Sequence, residues 1–327
     1  MRSPKSDLWL ELFLLMGPRL NDFVSLGPRG FHRVAYTEWG DPHSTHIVVC
    51  VHGLTRNGRD FDFLAARLAD RCRVVCMDVV GRGASDWLED KSDYGFRLYQ
   101  SDAAALLSRL TAPRPETRVS RFVRRFVNPR VLRIDWIGTS MGGLLGMMLA
   151  ARPNTPLRRL VLNDIGPLIP WGALMRLKKI HSGLDARFRD LAQVEAHLRE
   201  ACESFGPLDD AQWRHVALHS ARRLEDGTYA FTYDPGIASN LRGGANDGVE
   251  FGGDFLFGVD LWPVWDAVNC RTLVLRGGES ELLLKSTAAE MTQRGPKAKV
   301  VELPGIGHAP WLMTDEQVRV VREFLLE

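Results

Sequence analysis

The most constraining feature of this chain is a short β-rich run that breaks directly into a serine-bearing turn. Ile134-Asp135-Trp136-Ile137 is followed at once by Gly138-Thr139-Ser140-Met141-Gly142, and then by a helical stretch of small and apolar residues reaching Arg152. A serine on so tight a strand-to-helix turn is held in a strained backbone conformation, and flanking glycines remove side chains that would collide there. The turn lifts the Ser140 hydroxyl to the carboxyl edge of a sheet. It also aims the Met141 amide at the same point, at a helix N-terminus, where negative charge is favoured.

The rest of the chain reads as α/β. Strand patterns fall at His32 to Trp39, Ile47 to Val51, Arg73 to Met77, Leu132 to Ile137 and Leu160 to Asn163, then again at Thr272 to Leu275 and Lys299 to Leu303. The runs at 47–51 and 73–77 are continuously apolar, as in strands buried on both faces of a parallel sheet. Helical patterns separate them at Asp60 to Arg71, Leu98 to Leu110, Gly142 to Arg152 and, last, Asp315 to Leu326. Between about 168 and 262 the period changes from strand-like to helix-like. The expected organisation is an N-terminal extension over 1–29, a core built from 30–167 and 263–327, and a helical cap over 168–262. The glycine-rich stretch from Gly243 to Gly258 lacks phosphate-loop spacing and reads as a loop.

Composition narrows the partners. Lys plus Arg number 42 against 40 Asp plus Glu, a net charge of +2, which gives no electrostatic footprint for nucleic acid. The five cysteines include no Cys-x-x-Cys pair, which argues against a zinc ribbon or redox motif and suits a reducing, cytoplasmic setting. No apolar run reaches the roughly 18 residues of a membrane span. Leu8 to Met16 is apolar but interrupted by Glu11, and reads as an amphipathic helix rather than a signal sequence. Arg109 to Arg133 carries eight arginines and one acid, Glu116, and reads as a solvated connection.

Two further motifs point toward Ser140. His52-Gly53-Leu54 ends the strand at 47–51, where the Leu54 amide can join that of Met141 as an oxyanion donor; the His52 imidazole itself reads as structural. Gly305-Ile306-Gly307-His308 follows the last strand, from which a histidine can return to the Ser140 hydroxyl as general base.

With Asp78-Val79-Val80-Gly81-Arg82-Gly83-Ala84-Ser85, these motifs resemble those of the α/β-hydrolases, from about residue 30 to the C-terminus. The resemblance implies the α/β-hydrolase fold, a mostly parallel central sheet with a helical cap insertion, and makes Asp78 part of a structural turn. It also implies an acid that orients His308, and two positions compete. Gly277-Gly278-Glu279-Ser280-Glu281 matches the usual Gly-x-x-Ser-Asp with Glu281 in place of Asp. Asp164 stands at the tip of the strand after the nucleophile strand, where some relatives carry the acid. The longer match favours Glu281.

Trp171 and Trp311 are candidates for the substrate pocket, with core packing an equal or better role. His215 and His219 have helical i, i+4 spacing, but Val216 stands where a zincin has its glutamate, so no metal site is expected. The expected activity is serine-dependent cleavage of a carboxylic ester or related acyl bond in a small molecule, without cofactor. The rivals are lactone or carbon–carbon bond hydrolysis on the same fold, and a non-catalytic ligand-binding protein.

Overall fold

The computed structural model describes residues 17–112, 131–170, 172–173, 186–237 and 258–327. Its centre is an eight-stranded sheet made of β1 (Arg19–Gly27), β2 (Gly30–Trp39), β3 (His46–Val51), β4 (Arg73–Met77), β5 (Arg133–Thr139), β6 (Leu157–Asn163), β7 (Arg271–Gly277) and β8 (Lys299–Leu303). The spatial order is β1-β2-β4-β3-β5-β6-β7-β8. From β4 to β8 every pairing is parallel; β1 and β2 form an antiparallel hairpin at one edge. The carboxyl ends of β3, β5, β6 and β8 therefore open at the same edge of the sheet.

The central strands are apolar along their length because helices cover both faces. Val48 and Val49, adjacent on β3, point to opposite faces and both are fully buried. Burying each such aliphatic side chain is worth about 1.5–3 kcal/mol. One face is covered by α2 (Phe96–Thr111) and α3 (Met141–Ala150), the other by α1 (Asp62–Leu68) and the C-terminal helix α8 (Asp315–Leu326). The last helix shows how sequence becomes packing. Thr314 accepts the Gln317 amide and caps its N-terminus, Asp315 and Glu316 sit in the positive first turn, and Val318, Val321, Phe324 and Leu325 form the buried stripe.

The edge strand β1 departs from the sequence reading, which left residues 19–27 in an extension. Only Phe23 and Ser25 of its inward face are buried, while Leu20, Val24 and Leu26 stay exposed. That weak apolar signal conceals a strand held mainly by its ladder to β2. The amphipathic reading of residues 8–16 and most of the arginine-rich segment lie outside the described residues.

Between β6 and β7 the chain leaves the sheet. The described part of this insertion contains α4 (Leu191–Ala201), α5 (Asp210–Ser220), a three-stranded antiparallel sheet of 187–188, 229–231 and 221–223, and a strand pair joining 168–170 to 258–260. It returns to the sheet through α6 (Trp262–Asp266); α7 (Lys285–Met291) lies between β7 and β8. A reciprocal capping box between Asp209 and Gln212 starts α5. Helix is thus mixed with small antiparallel sheet, whose two- and three-residue strands are too short to show a period of two.

Candidate active site

Ser140 sits between β5 and α3 with φ 51° and ψ −114°, a strained conformation for a residue with a side chain. The surrounding glycines are required by space. A Cβ on Gly138 would strike the Gly142 backbone, and one on Gly142 would strike the carbonyl of Val51 at the end of β3. The Gly142 amide also donates to the His52 carbonyl at 3.2 Å, which fastens the serine turn to the 52–54 turn.

His308, on the loop after β8, reaches back to this turn. Its Nε2 lies 3.0 Å from Ser140 Oγ and its Nδ1 lies 2.8 Å from Asp164 Oδ2. Asp164 is fully buried and has φ 55°. Its Oδ1 accepts the Gly277 amide at 2.7 Å, and its Oδ2 also accepts the Ser280 hydroxyl at 2.5 Å. The carboxylate is thus aimed by the start of the neighbouring β7 loop. Asn163 adds a brace by donating to Thr139 Oγ1 at 3.0 Å and to the Pro310 carbonyl at 2.8 Å.

This geometry corrects the preference for Glu281. Glu281 is exposed on the wall of the same cavity, one residue beyond the serine that holds Asp164. The Gly277–Glu281 motif does converge on the histidine, but through the Gly277 amide and Ser280 hydroxyl acting on Asp164. Sequence matching located the loop but not the carboxylate that faces His308, because which strand tip carries the inward carboxylate depends on three-dimensional register.

Gly53 and Leu54 line the cavity with Ser140, and a Cβ on Gly53 would lie 3.8 Å from that of Ser140. Met141 opens α3 directly after Ser140. The His52 ring is turned away from the cavity and fully buried. Its Nδ1–H donates to the Gly53 carbonyl at 2.7 Å, and its Nε2 accepts the Val79 amide at 3.0 Å. Burial pushes its pKa down to about 3, so it stays neutral and serves as a brace for the turn. Asp78 is also structural. It accepts amides from Gly58 and Ala84, and burial pushes its pKa up to about 6.

The cavity has a volume of about 440 Å³ and is roofed by residues of the insertion, among them Leu198, Cys202, Phe205 and Tyr233. Trp311 stands behind this wall rather than on it. It is buried, packs against Phe205 and Trp213, and carries the Arg56 guanidinium over its ring at 5.0 Å. The lining role expected of Trp311 therefore falls to its neighbour Phe205, while Trp171 lies outside the described residues. Arg56, which sequence reasoning missed, does line the cavity, held by Asp60 and by Ser220 of α5. Its only sequence signal was its place two residues after Leu54.

Comparison with known proteins gives a consistent picture. The sequence profile of the alpha/beta hydrolase family matches residues 48–323. The chain is 38% identical over 310 residues to the 3-hydroxybutyrate-oligomer hydrolase of Cupriavidus necator, covering 94% of this chain and 97% of that one. It is 26% identical over 280 residues to an esterase of Mycobacterium tuberculosis, covering 83% and 78%. Among solved structures, an alpha/beta hydrolase from Novosphingobium aromaticivorans superposes with a TM-score of 0.74 at 33% identity, covering 94% of this chain and 98% of its own.

Proposed function

Because the chain belongs to the alpha/beta hydrolase family and is a hydrolase, we propose that it cleaves a carboxylic ester through an acyl-enzyme formed on Ser140. The observation that carries this reading is the unbroken relay from Ser140 Oγ through both His308 nitrogens to Asp164. His308 Nε2 takes the hydroxyl proton as Oγ attacks the carbonyl. Asp164 holds the tautomer protonated on Nδ1 and stabilises the imidazolium that forms. The amides of Leu54 and Met141 receive the oxyanion; losing one such donor typically costs about 3 kcal/mol. His308 then protonates the departing alkoxide, the alcohol leaves, and water activated by the same nitrogen releases the acid. No step requires a metal or organic cofactor.

The proposed substrate class is a short ester of a hydroxy acid. It rests on the 38% identity to an enzyme named for 3-hydroxybutyrate oligomers and on a cavity sized for a small molecule, within the roughly 300–1,000 Å³ usual for ligand pockets. The insertion serves as the cap that sets acyl preference. Free cysteines, four of them buried, fit the proposed cytoplasmic location, and no helix among the described residues is long and apolar enough to cross a membrane. The test is hydrolysis of the 3-hydroxybutyrate dimer and of a p-nitrophenyl ester series by wild type and Ser140→Ala. The reading requires turnover of the dimer and of short esters that disappears in the variant. Turnover surviving in folded Ser140→Ala would refute the mechanism; turnover of p-nitrophenyl esters without the dimer would refute only the substrate class.

A further inference from the structure

Behind the loop that carries Leu54, the insertion and the core meet in a cluster of metal-binding side chains. His215 and His219 lie one turn apart on one face of α5, with ring centroids 4.4 Å apart. Asp62, the first residue of α1, faces them from the core. One ligand atom from each of the three lies within 4.8 Å of the others. His215 Nε2 stands 3.3 Å from Asp62 Oδ2 and 3.2 Å from the Arg59 carbonyl.

One observation sets this cluster apart from an ordinary buried hydrogen-bond network. Asp62 is fully buried, Arg59 occupies its Oδ2, and its Oδ1 has no hydrogen-bond partner among the described residues. A buried carboxylate oxygen left without a donor is costly unless something fills the place. Two imidazole nitrogens with one carboxylate oxygen leave the fourth position of a tetrahedral ion open to water.

We propose that Asp62, His215 and His219 form a binding site for a divalent transition metal of the zinc class, and that occupation of this site inhibits the enzyme. Modest side-chain rotations bring the ligand atoms to about 3.3 Å from one another, the spacing around a tetrahedral ion that holds nitrogen at about 2.0 Å. The ion replaces the proton on His215 Nε2, which the ring then carries on Nδ1. Oδ1 of Asp62 supplies the oxygen while Arg59 keeps Oδ2. Imidazole with carboxylate suits zinc, cobalt, nickel and copper rather than magnesium or calcium.

Inhibition follows from where the three ligands are attached. Asn57 Nδ2 donates to the His219 carbonyl at 2.9 Å, and Arg56 donates to Ser220 at 3.0 Å, so α5 already rests on the loop between Leu54 and α1. An ion adds a rigid link between the insertion and that loop. The link opposes any opening of the roof over Ser140 and any adjustment of the Leu54 amide during turnover. The Val216 that rules out zincin chemistry does not affect this role, which needs ligands and no general base.

The experiment uses untagged, full-length protein, with Zn²⁺ titrated by calorimetry and Co²⁺ followed by its visible absorption. One ion per chain should bind, and His215→Ala and His219→Ala should each weaken binding by at least about tenfold. His43→Ala, at an exposed histidine remote from α5 in sequence, should leave it unchanged. His219→Gln, which keeps a neutral polar side chain, provides a second variant should His219→Ala fail to fold. Absence of binding at millimolar zinc, or binding indifferent to His215 and His219, would overturn the site. The binding measurement is independent of the esterase reading. Zinc should also inhibit ester hydrolysis in wild type and not in His219→Gln; bound zinc without inhibition would overturn the inhibitory role.

Discussion

Ser280 gives its hydroxyl hydrogen bond to Asp164 Oδ2, the same oxygen that faces His308 Nδ1. Ser280 Oγ is itself anchored by the amides of Leu282 and Leu283 at 3.2 and 3.1 Å. A loop whose sequence advertises an acid of its own thus serves to hold the carboxylate of a neighbouring strand.

The two carboxylates are separable by mutation. Asp164→Asn should lower kcat for a p-nitrophenyl ester by about 10⁴-fold, the size seen when a serine-protease triad loses its carboxylate. Glu281→Gln should stay within a few-fold of wild type. Reversal of this ranking in steady-state kinetics would return the acid to Glu281.

Ser280→Ala tests the support of Asp164. A hydrogen bond to a charged group contributes about 1.5–3 kcal/mol, so kcat should fall roughly 10- to 100-fold with KM little changed. Ser280→Thr keeps the hydroxyl and should recover part of the loss. An unchanged kcat in Ser280→Ala would mean that the Gly277 amide alone suffices to aim the carboxylate.

The serine turn leaves no room for a methyl group at Gly142, where a Cβ would collide with the Val51 carbonyl and crowd that of His52. Both obstacles are backbone, so little relief is available. Gly142→Ala should cost about 3 kcal/mol or more, read as a lower urea midpoint, with loss of activity. Wild-type stability would show that β3 and α3 can separate without penalty.

Much of this site was legible from residues alone. The Gly138–Gly142 turn, the His52–Leu54 turn and the Gly305–His308 loop each carry a local backbone requirement that only certain residues meet. The acid was ambiguous because Asp164 and Glu281 both follow strands, and only the β6–β7 register, Asn163 opposite Leu275, decides which one faces His308. Asp62 was invisible as a neighbour of His215 and His219, since more than 150 positions separate them in the chain. Edge strand β1 was missed because its outward face keeps apolar residues exposed.

Acid should destabilise the fold through two histidines. The pKa of His52 is pushed down to about 3 and that of His219 to about 4, while both titrate near 6.5 when unfolded. The unfolded chain therefore binds more protons in this range. Stability is fully present above about pH 6.5 and is lost as pH falls toward 4 and then 3. Asp78 acts in the opposite sense, since its raised pKa makes the folded state the better proton binder between 3.8 and about 6. Thermal melts should show Tm falling from pH 7 to pH 4, with a shallower fall in His219→Gln. An equal slope in that variant would contradict the assignment of His219.

The most direct measurement of the central claim is intact-protein and peptide mass spectrometry after treatment with a fluorophosphonate. A serine activated by His308 and Asp164 should take up one phosphonyl group per chain, located on the Ser140 peptide. Uptake should vanish in Ser140→Ala and slow by orders of magnitude in Asp164→Asn. An unlabelled wild-type protein, or an adduct at any residue other than Ser140, would contradict the account.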